Sequence, residues 1–443
     1  MGDLRERHLL IVAYELPPSA GGGVQRVTKF TRYLHQEGWR VSVVCAHPIP
    51  GKPRDESLLP QVASANIVRV PARNIAIAIA RVLSVFKRSP RGEGAGSSTS
   101  GAIAVGARSP LSTRIARWVS MPDETALWIG PAVRAGLAIA KESPVDVVLA
   151  TAPPFSAFVA GKRIADALGV PLAADMRDSW RDNSSIVWPT AWHRSRMLRL
   201  ERTVLASAAL VTAASDGIAA EAAEMGARTV ASIPNGFDPA EIPVWSAHDT
   251  PGLSIVFIGR LYANVSDPST FLDALTLMRS RGTLPDGLRV KFIGANTPWS
   301  VSLAEARGLS DVVTFSDFMP YADAMAEVAA ADVGLIMTAE GPGARAMYPG
   351  KLFDYIGVGV PVLMIGAADG VSADLVREAG AGVVAAYSDI EAIAAGVSEL
   401  ASRKSSRSLS GPTNPDVVAR YNREKQVIEL SRLLTDVAGV PRG

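Results

Sequence analysis

His8–Arg26 reads HLLIVAYELPPSAGGGVQR, and the order of its parts decides the fold. HLLIVAY is an unbroken apolar run of the kind a buried strand shows. Pro17 and Pro18 stop it, and Gly21, Gly22 and Gly23 open a helix whose apolar residues Val24, Val27, Phe30 and Leu34 recur at helical spacing. A strand, a glycine turn and a helix N-terminus leave bare backbone N–H groups where a phosphate can meet them. Without Cβ, the main chain can bend sharply and come close to an anion. A tight strand-to-helix connection needs the same residues, so the motif alone leaves both readings open.

Working outward, strand-like and helix-like runs alternate along the chain. Strands are expected at HLLIVAY, VSVVC, NIVRV, VDVVLAT, VPLAAD, ALVTA and TVASIP in the first half, and at LSIVFIG, RVKFIG, VVTF, ADVGLIM, VPVLMIG and AGVVAAY in the second. Continuous valine-rich runs are how parallel strands covered on both faces look. Between the halves, Asp238–Gly252 (DPAEIPVWSAHDTPG) has no periodicity and reads as a linker. A helical pattern from about Pro415 to Val437 closes the chain. The fold class is α/β: two Rossmann-like, doubly wound domains facing across a cleft, residues 1–240 and 253–414, with a C-terminal helix, 415–443, crossing back to the first. Ligands in such sheets bind at the C-terminal ends of the strands.

One segment stands apart. Between Ile67 and Ser120 there are nine basic residues (Arg69, Arg73, Arg81, Lys87, Arg88, Arg91, Arg108, Arg114, Arg117) and one acid, Glu93. The run ARNIAIAIARVLSVFKRS would, as a helix, set Ile75, Ile79, Val82, Leu83 and Phe86 against Arg73, Arg81 and Arg88. A basic amphipathic helix can lie on an anionic membrane surface, whereas the plainer reading packs it on the sheet.

Composition excludes several classes. At 443 residues the chain exceeds one core, and 48% apolar with 20% charged residues is the balance of a folded protein. A net charge of +2 and the lack of an arginine-rich tract with interleaved aromatics give no reason to expect nucleic acid as a partner. Cys45, the single cysteine, sits in an apolar strand and reads as a small buried hydrophobe. The five histidines are scattered without ligand spacing, so no metal is expected. Asp3 and Glu6 precede a short apolar run that ends at Glu15, unlike a signal peptide, and no apolar stretch spans a bilayer. Cytoplasmic residence, at the inner face of the cell membrane if the basic helix binds lipid, is the expectation.

The second half carries the fuller set of chemical groups. LSIVFIG ends in Gly259-Arg260-Leu261, which puts a permanently charged guanidinium at a strand's C-terminal edge. Strand ADVGLIM runs into TAEGPGARAMYPG, and Lys351-Leu352-Phe353-Asp354 then begins a helix. The amides opening that helix at Gly350, together with Lys351, can hold a phosphate, and Asp354 can accept hydrogen bonds from a ribose diol.

The chain resembles the GT-B glycosyltransferases of the large retaining family 4, and more narrowly the bacterial members that build cell-surface polysaccharides and glycolipids. The resemblance rests on SAGGGVQR, on DMRDSW (Asp175–Trp180), IPNGFD (Ile233–Asp238) and FIGRL (Phe257–Leu261), and most specifically on YPGKLFDYIGVGVPVL (Tyr348–Leu363). It implies transfer of a sugar, with retention and without a metal or cofactor, from a nucleotide-sugar donor on the second domain to a glycan, lipid-linked or small-molecule acceptor on the first. Donor contacts are then expected from Gly22, Gly23, Gly259, Arg260, Tyr348, Gly350, Lys351, Leu352 and Asp354. Asp354 matches the second of two family glutamates spaced eight apart; the first falls at Ala346, and Glu340 is out of register. Where relatives often carry a lysine after the strand-end arginine, this chain has Val265, and Lys351 is expected to supply the cation. Arg177 and Asp178 stand where many relatives have a histidine–aspartate pair, and so are expected, with Arg260 and Lys351, in the catalytic set; an internal network of Asp175, Arg177 and Asp178 is the structural alternative. Trp128 and Trp180 read as packing residues.

Two alternatives remain, a nucleotide-sugar epimerase and a non-catalytic sugar-nucleotide-binding partner. A nicotinamide dehydrogenase would need a GxGxxG turn with an acid about 20 residues on, and AGGGVQR does not provide it.

Overall fold

In the computed structural model, the structure describes residues 6–72, 74, 75, 79, 118–181, 188–263, 265–340, 345 and 348–439. The chain forms two compact units, one of Met1–Ile233 with Val427–Gly443, the other of Pro234–Gln426.

The first unit runs β1 (His8–Val12), α1 (Gly22–Gln36), β2 (Arg40–Ala46), β3 (Asn66–Val70), α2 (Ile129–Glu142), β4 (Val147–Ala152), α3 (Ser156–Leu168), β5 (Leu172–Met176), α4 (Ala191–Ser207), β6 (Leu210–Ala213), α5 (Asp216–Glu224) and β7 (Val230–Ser232). Its strands form one seven-stranded parallel sheet in the order β3-β2-β1-β4-β5-β6-β7. Both faces are covered, which is why the central strands β1, β4, β5 and β6 are buried along their whole length while the edge strands β3 and β7 are only partly so. Val27, Phe30 and Leu34 of α1 cover one face with Val427, Leu430 and Leu434. On the other, Ala132 and Ile139 of α2 pack with Phe158 and Ile164 of α3 and Val204 and Leu205 of α4.

The second unit repeats the scheme. β8 (Ser254–Ile258), α6 (Ser269–Ser280), β9 (Arg289–Ile293), α7 (Pro298–Glu305), β10 (Val313–Ser316), α8 (Tyr321–Ala330), β11 (Val333–Met337), α9 (Gly350–Val358), β12 (Val362–Gly366), α10 (Val371–Glu378), β13 (Gly382–Ala386) and α11 (Ile390–Ser405) alternate. The six parallel strands are ordered β10-β9-β8-β11-β12-β13. Every strand read from the sequence is present. The order of each sheet reverses at one place, between β1 and β4 and between β8 and β11, and such switch points are where open α/β sheets bind ligands.

Two expectations are corrected. The helix expected from Pro415 is broken into α12 (Pro415–Ala419) and α13 (Arg423–Ala438). The break forms because Phe237 and Asn422 bridge, Phe237 N–H donating to Tyr421 O at 2.9 Å and Arg423 N–H to Phe237 O at 2.8 Å. The chain therefore returns to the first unit at Val427 rather than at 415, and it leaves that unit at Ile233 rather than at 240. The aperiodic stretch Asp238–Gly252 is also no free linker. Trp245 Nε1 donates to Ala331 O and His248 Nε2 lies 2.7 Å from Ala329 O, which straps it to the second unit. The amphipathic reading of Arg73–Arg117 lies almost wholly outside the described residues; within it, Ile75 is buried and its N–H donates to Glu124 O.

Candidate functional site

In the first unit, β1 delivers the chain to Gly21, which precedes α1 and leaves the helix without a side-chain cap. Gly21 and Gly22 face open space, and among the described residues nothing takes up the N–H groups of Gly22 and Gly23, whereas Val24 N–H already donates to Gly21 O. Gly23 has a different task. A Cβ there would lie 1.9 Å from Nη1 of Arg177, so the glycine exists to let a guanidinium rest on the helix backbone. Arg177 follows β5, donates to Pro153 O, and keeps a buried Nε with no partner. Burial pushes its pKa down, and Asp175 and Asp178 pull it back up.

The internal network of Asp175, Arg177 and Asp178 is not what holds the segment. Asp175 is fully buried and pairs instead with Arg26, one helical turn into α1: Nη2 to Oδ1 at 2.6 Å and Nε to Oδ2 at 3.0 Å. Thr151 and Thr212 donate to the same carboxylate at 2.7 and 2.8 Å. Burial alone would raise the Asp175 pKa, but Arg26 and the hydroxyls outweigh it and hold it below the ordinary value. Asp178 is left exposed and without a hydrogen bond among the described residues, and the protein crowded about it raises its pKa. Trp180 is fully buried and stacks on Phe155 with centroids 4.6 Å apart, and Trp128 is buried edge-on to Tyr14, so both are packing residues. Cys45 is buried, which pushes its thiol up to about 11.

In the second unit the loop after β8 and the start of α9 meet. Gly259 turns at φ +104°, a conformation that favours glycine, and places Arg260 on the surface with no ion pair among the described residues. Lys351, on the first turn of α9, reaches back so that its Nζ lies 3.5 Å from the centre of the Phe257 ring and within 3.4 Å of where a Gly259 Cβ would be. Its ammonium has no hydrogen bond or ion pair among the described residues. Burial lowers its pKa to about 7, Asp354 opposing the shift. α9 has no side-chain cap, and Gly350 faces open space. Tyr355 fixes the register of strand and helix: its hydroxyl accepts from Ile258 N–H at 3.0 Å, and its ring fills the space above Gly334, where a Cβ would come within 2.5 Å.

Asp354 accepts from the Tyr321 hydroxyl at 2.7 Å. Burial, then Asp354, raises the Tyr321 pKa well above its ordinary value, so the hydroxyl stays a donor. Tyr348 packs on Phe353 with centroids 5.5 Å apart. The Leu352 side chain is wholly buried in the core with Phe353 and Ile356, so any donor contact at this position falls to its backbone. Val265 is exposed, and Ala346 lies outside the described residues.

The structure thus gathers Gly22, Gly23, Arg177 and Asp178 at the C-terminal edge of the first sheet, and Gly259, Arg260, Gly350, Lys351 and Asp354 at that of the second. Tyr321, Phe257, Arg26, Thr151 and Thr212 are additions the sequence reading missed. A cleft of about 940 Å³ at the opposite edge of the second sheet is lined by Asp249, Asp332, Lys404 and Arg407. These charges pair among themselves, Lys404 with Asp332 and Arg407 with Asp249, and leave no cation for an anion. Among the described residues no three His, Cys, Asp or Glu side chains converge as metal ligands, and no helix is long and apolar enough to cross a membrane.

Residues 21–236 match the family described as "Glycosyl transferase 4-like domain", and residues 252–403 that described as "Glycosyl transferases group 1". No curated protein matches the chain by sequence. Among solved structures, sucrose-phosphate synthase from Thermosynechococcus elongatus superposes with a TM-score of 0.66 at 14% identity, over 98% of this chain and 99% of that one. WaaG, a glycosyltransferase involved in lipopolysaccharide biosynthesis, gives 0.56 at 13% identity, over 98% of this chain and 100% of its own. The MnaA–UDP structure from S. aureus gives 0.52 at 11% identity, over 96% and 94%.

Proposed function

Since the chain is a GT-B glycosyltransferase, built of a glycosyl transferase 4-like domain followed by a group 1 domain, we propose that it moves a sugar from a nucleoside-diphosphate donor held by the second unit to a glycan or lipid-linked acceptor bound by the first. The observation that carries this reading is the ammonium of Lys351 beside Gly259, which like Arg260 has no ion pair among the described residues, with the N-terminus of α9, free of a side-chain cap, alongside. Two cations and a set of amides without anionic partners make a site for a diphosphate. They are most useful when the sugar departs, because charge then accumulates on the leaving oxygens and preorganised donors stabilise it. Charge stabilisation is assigned to these protein groups rather than to a metal. Asp354, oriented by Tyr321, is assigned to the ribose diol. The amides of Gly22 and Gly23, with Arg177 and Asp178, are assigned to the transferred sugar and acceptor. Retention of configuration follows the family resemblance, with the acceptor oxygen attacking on the face the diphosphate leaves; no side chain is assigned as a nucleophile.

The test is to incubate the protein with a panel of nucleotide sugars and follow release of free nucleoside diphosphate. Release with one donor, accelerated by an acceptor, is expected. Interconversion of the sugar without lasting release would mark an epimerase, and tight binding without turnover would mark a non-catalytic partner.

A further inference from the structure

The most conspicuous surface outside these loops is the exposed side of α4, AWHRSRMLRLERTVLAS. Arg196, Arg199 and Arg202 follow one another along it at three-residue spacing, Arg194 is exposed in the first turn away from this stripe, and none of the four forms an ion pair among the described residues. The helix has one acid, Glu201, and it is buried. Other exposed arginines divide: Arg281 and Arg432 sit in ion pairs with Glu391 and Glu429, whereas Arg134, Arg163 and Arg228 have none among the described residues, so what sets α4 apart is the clustering of its arginines along one helix. Leaving the three neighbouring guanidinium groups of Arg196, Arg199 and Arg202 uncompensated along one stripe is unfavourable for the isolated chain, because like charges repel.

Two tryptophans adjoin them. Trp192 is 57% exposed and Trp118 60%, with Val119 beside it at 57%. Each indole meets the His193 ring edge-on, at 5.0 and 5.4 Å, so His193 is the wedge that holds both. His193 is itself fixed: Nδ1 lies 2.8 Å from the Thr190 hydroxyl, and Nε2 lies 3.2 Å from the Trp118 carbonyl. With Trp192 at the start of the helix, Arg196, Arg199 and Thr203 fall on the same stripe at helical spacing.

We infer that this face of α4, with Trp118 and Trp192, docks the protein on an anionic membrane surface. Indoles prefer the boundary between headgroups and acyl chains, and arginines beside them meet lipid phosphates while their stems lie along apolar surface. A single-stranded nucleic acid is the poorer fit. It would need an open indole face for stacking, and the Trp192 face carries the Arg196 guanidinium at 5.5 Å. The location has a consequence. α4 follows β5 and runs back along the sheet, so its N-terminal turn lies at the same edge of the first sheet as Arg177. The partner surface inferred here does not depend on which reaction the protein catalyses.

Flotation of the full chain with vesicles tests it without any substrate. Vesicles of phosphatidylcholine with phosphatidylglycerol should carry the protein, and phosphatidylcholine alone should not. Arg196→Ala, Arg199→Ala and Arg202→Ala should each weaken partitioning about fivefold, and the triple variant roughly a hundredfold. Trp192→Ala, which removes no charge, should also weaken it. The control triple Arg279→Ala, Arg281→Ala and Arg432→Ala removes equal charge from paired positions and should leave partitioning within about twofold, since a uniform loss of charge acts only through the screened long-range field. Failure of the wild-type chain to float overturns the inference. So does an equal loss in the control triple, or α4-dependent binding of a single-stranded RNA oligonucleotide without vesicle binding.

Discussion

The two sheet edges that carry the site residues are built alike and charged differently. At the first, the strongest ionic group is closed on itself: Arg26 and Asp175 pair with no exposure of either side chain, and two threonines occupy the remaining lone pairs of the carboxylate. Arg177, the other cation there, is tied to a backbone carbonyl and laid on Gly23. At the second, Arg260 and Lys351 have no ion pair among the described residues. The first edge uses charge to hold a shape; the second holds charge ready for something else.

The contrast breaks first at Asp175. Asp175→Ala strands a buried guanidinium and should cost about 3–5 kcal/mol in urea unfolding of the first unit. An unchanged midpoint would show that Arg26 finds another partner and that the closed pair is incidental. Arg260→Ala at the other edge should leave stability alone and lower donor turnover by on the order of a hundredfold or more, measured as nucleoside diphosphate released. Wild-type rates would remove Arg260 from the site.

A finer distinction comes from pH. The Lys351 pKa is lowered from 10.5 to about 7, so the folded protein holds the ammonium below that value and loses it as pH rises. Donor affinity should fall about tenfold between pH 6 and pH 8, as the protonated fraction falls by that factor. Stability should move the opposite way: between the lowered and the ordinary value the unfolded chain binds the extra proton, so folding gains as pH rises. Lys351→Met should flatten both profiles, and calorimetric titration at several pH values checks the first. The smallest effect is expected at Tyr321→Phe, which deletes one hydrogen bond to Asp354 and should weaken nucleotide binding roughly two- to tenfold. A larger loss would mean that Tyr321 touches the ligand itself.

The sheets were legible in the sequence because strands covered on both faces are predominantly apolar, and that pattern is local. So was the meeting of Gly259 with the Lys351 helix, since both follow strands whose C-terminal ends adjoin at a switch point. The Arg26–Asp175 pair was not, because its partners are 149 residues apart and no periodicity marks a side-chain bond. The strap at Trp245 and His248 escaped for the same reason: it is held by side chains donating to carbonyls. The break between α12 and α13 did leave a local trace. Asn422 accepts from Lys425 N–H at 3.3 Å as a helix cap does, but within a run of good helix formers one asparagine is easily read through.

The return of α13 to the first unit bears on how the protein is made. Val427, Leu430 and Leu434 complete the face of a sheet whose last strand ends at Ser232. Domains usually fold in order of synthesis, N-terminal first. Here a nascent chain that has emerged through Ile233 still lacks apolar cover that arrives only after the whole second unit has been translated, so the first sheet must wait with a wet patch that a chaperone could recognise.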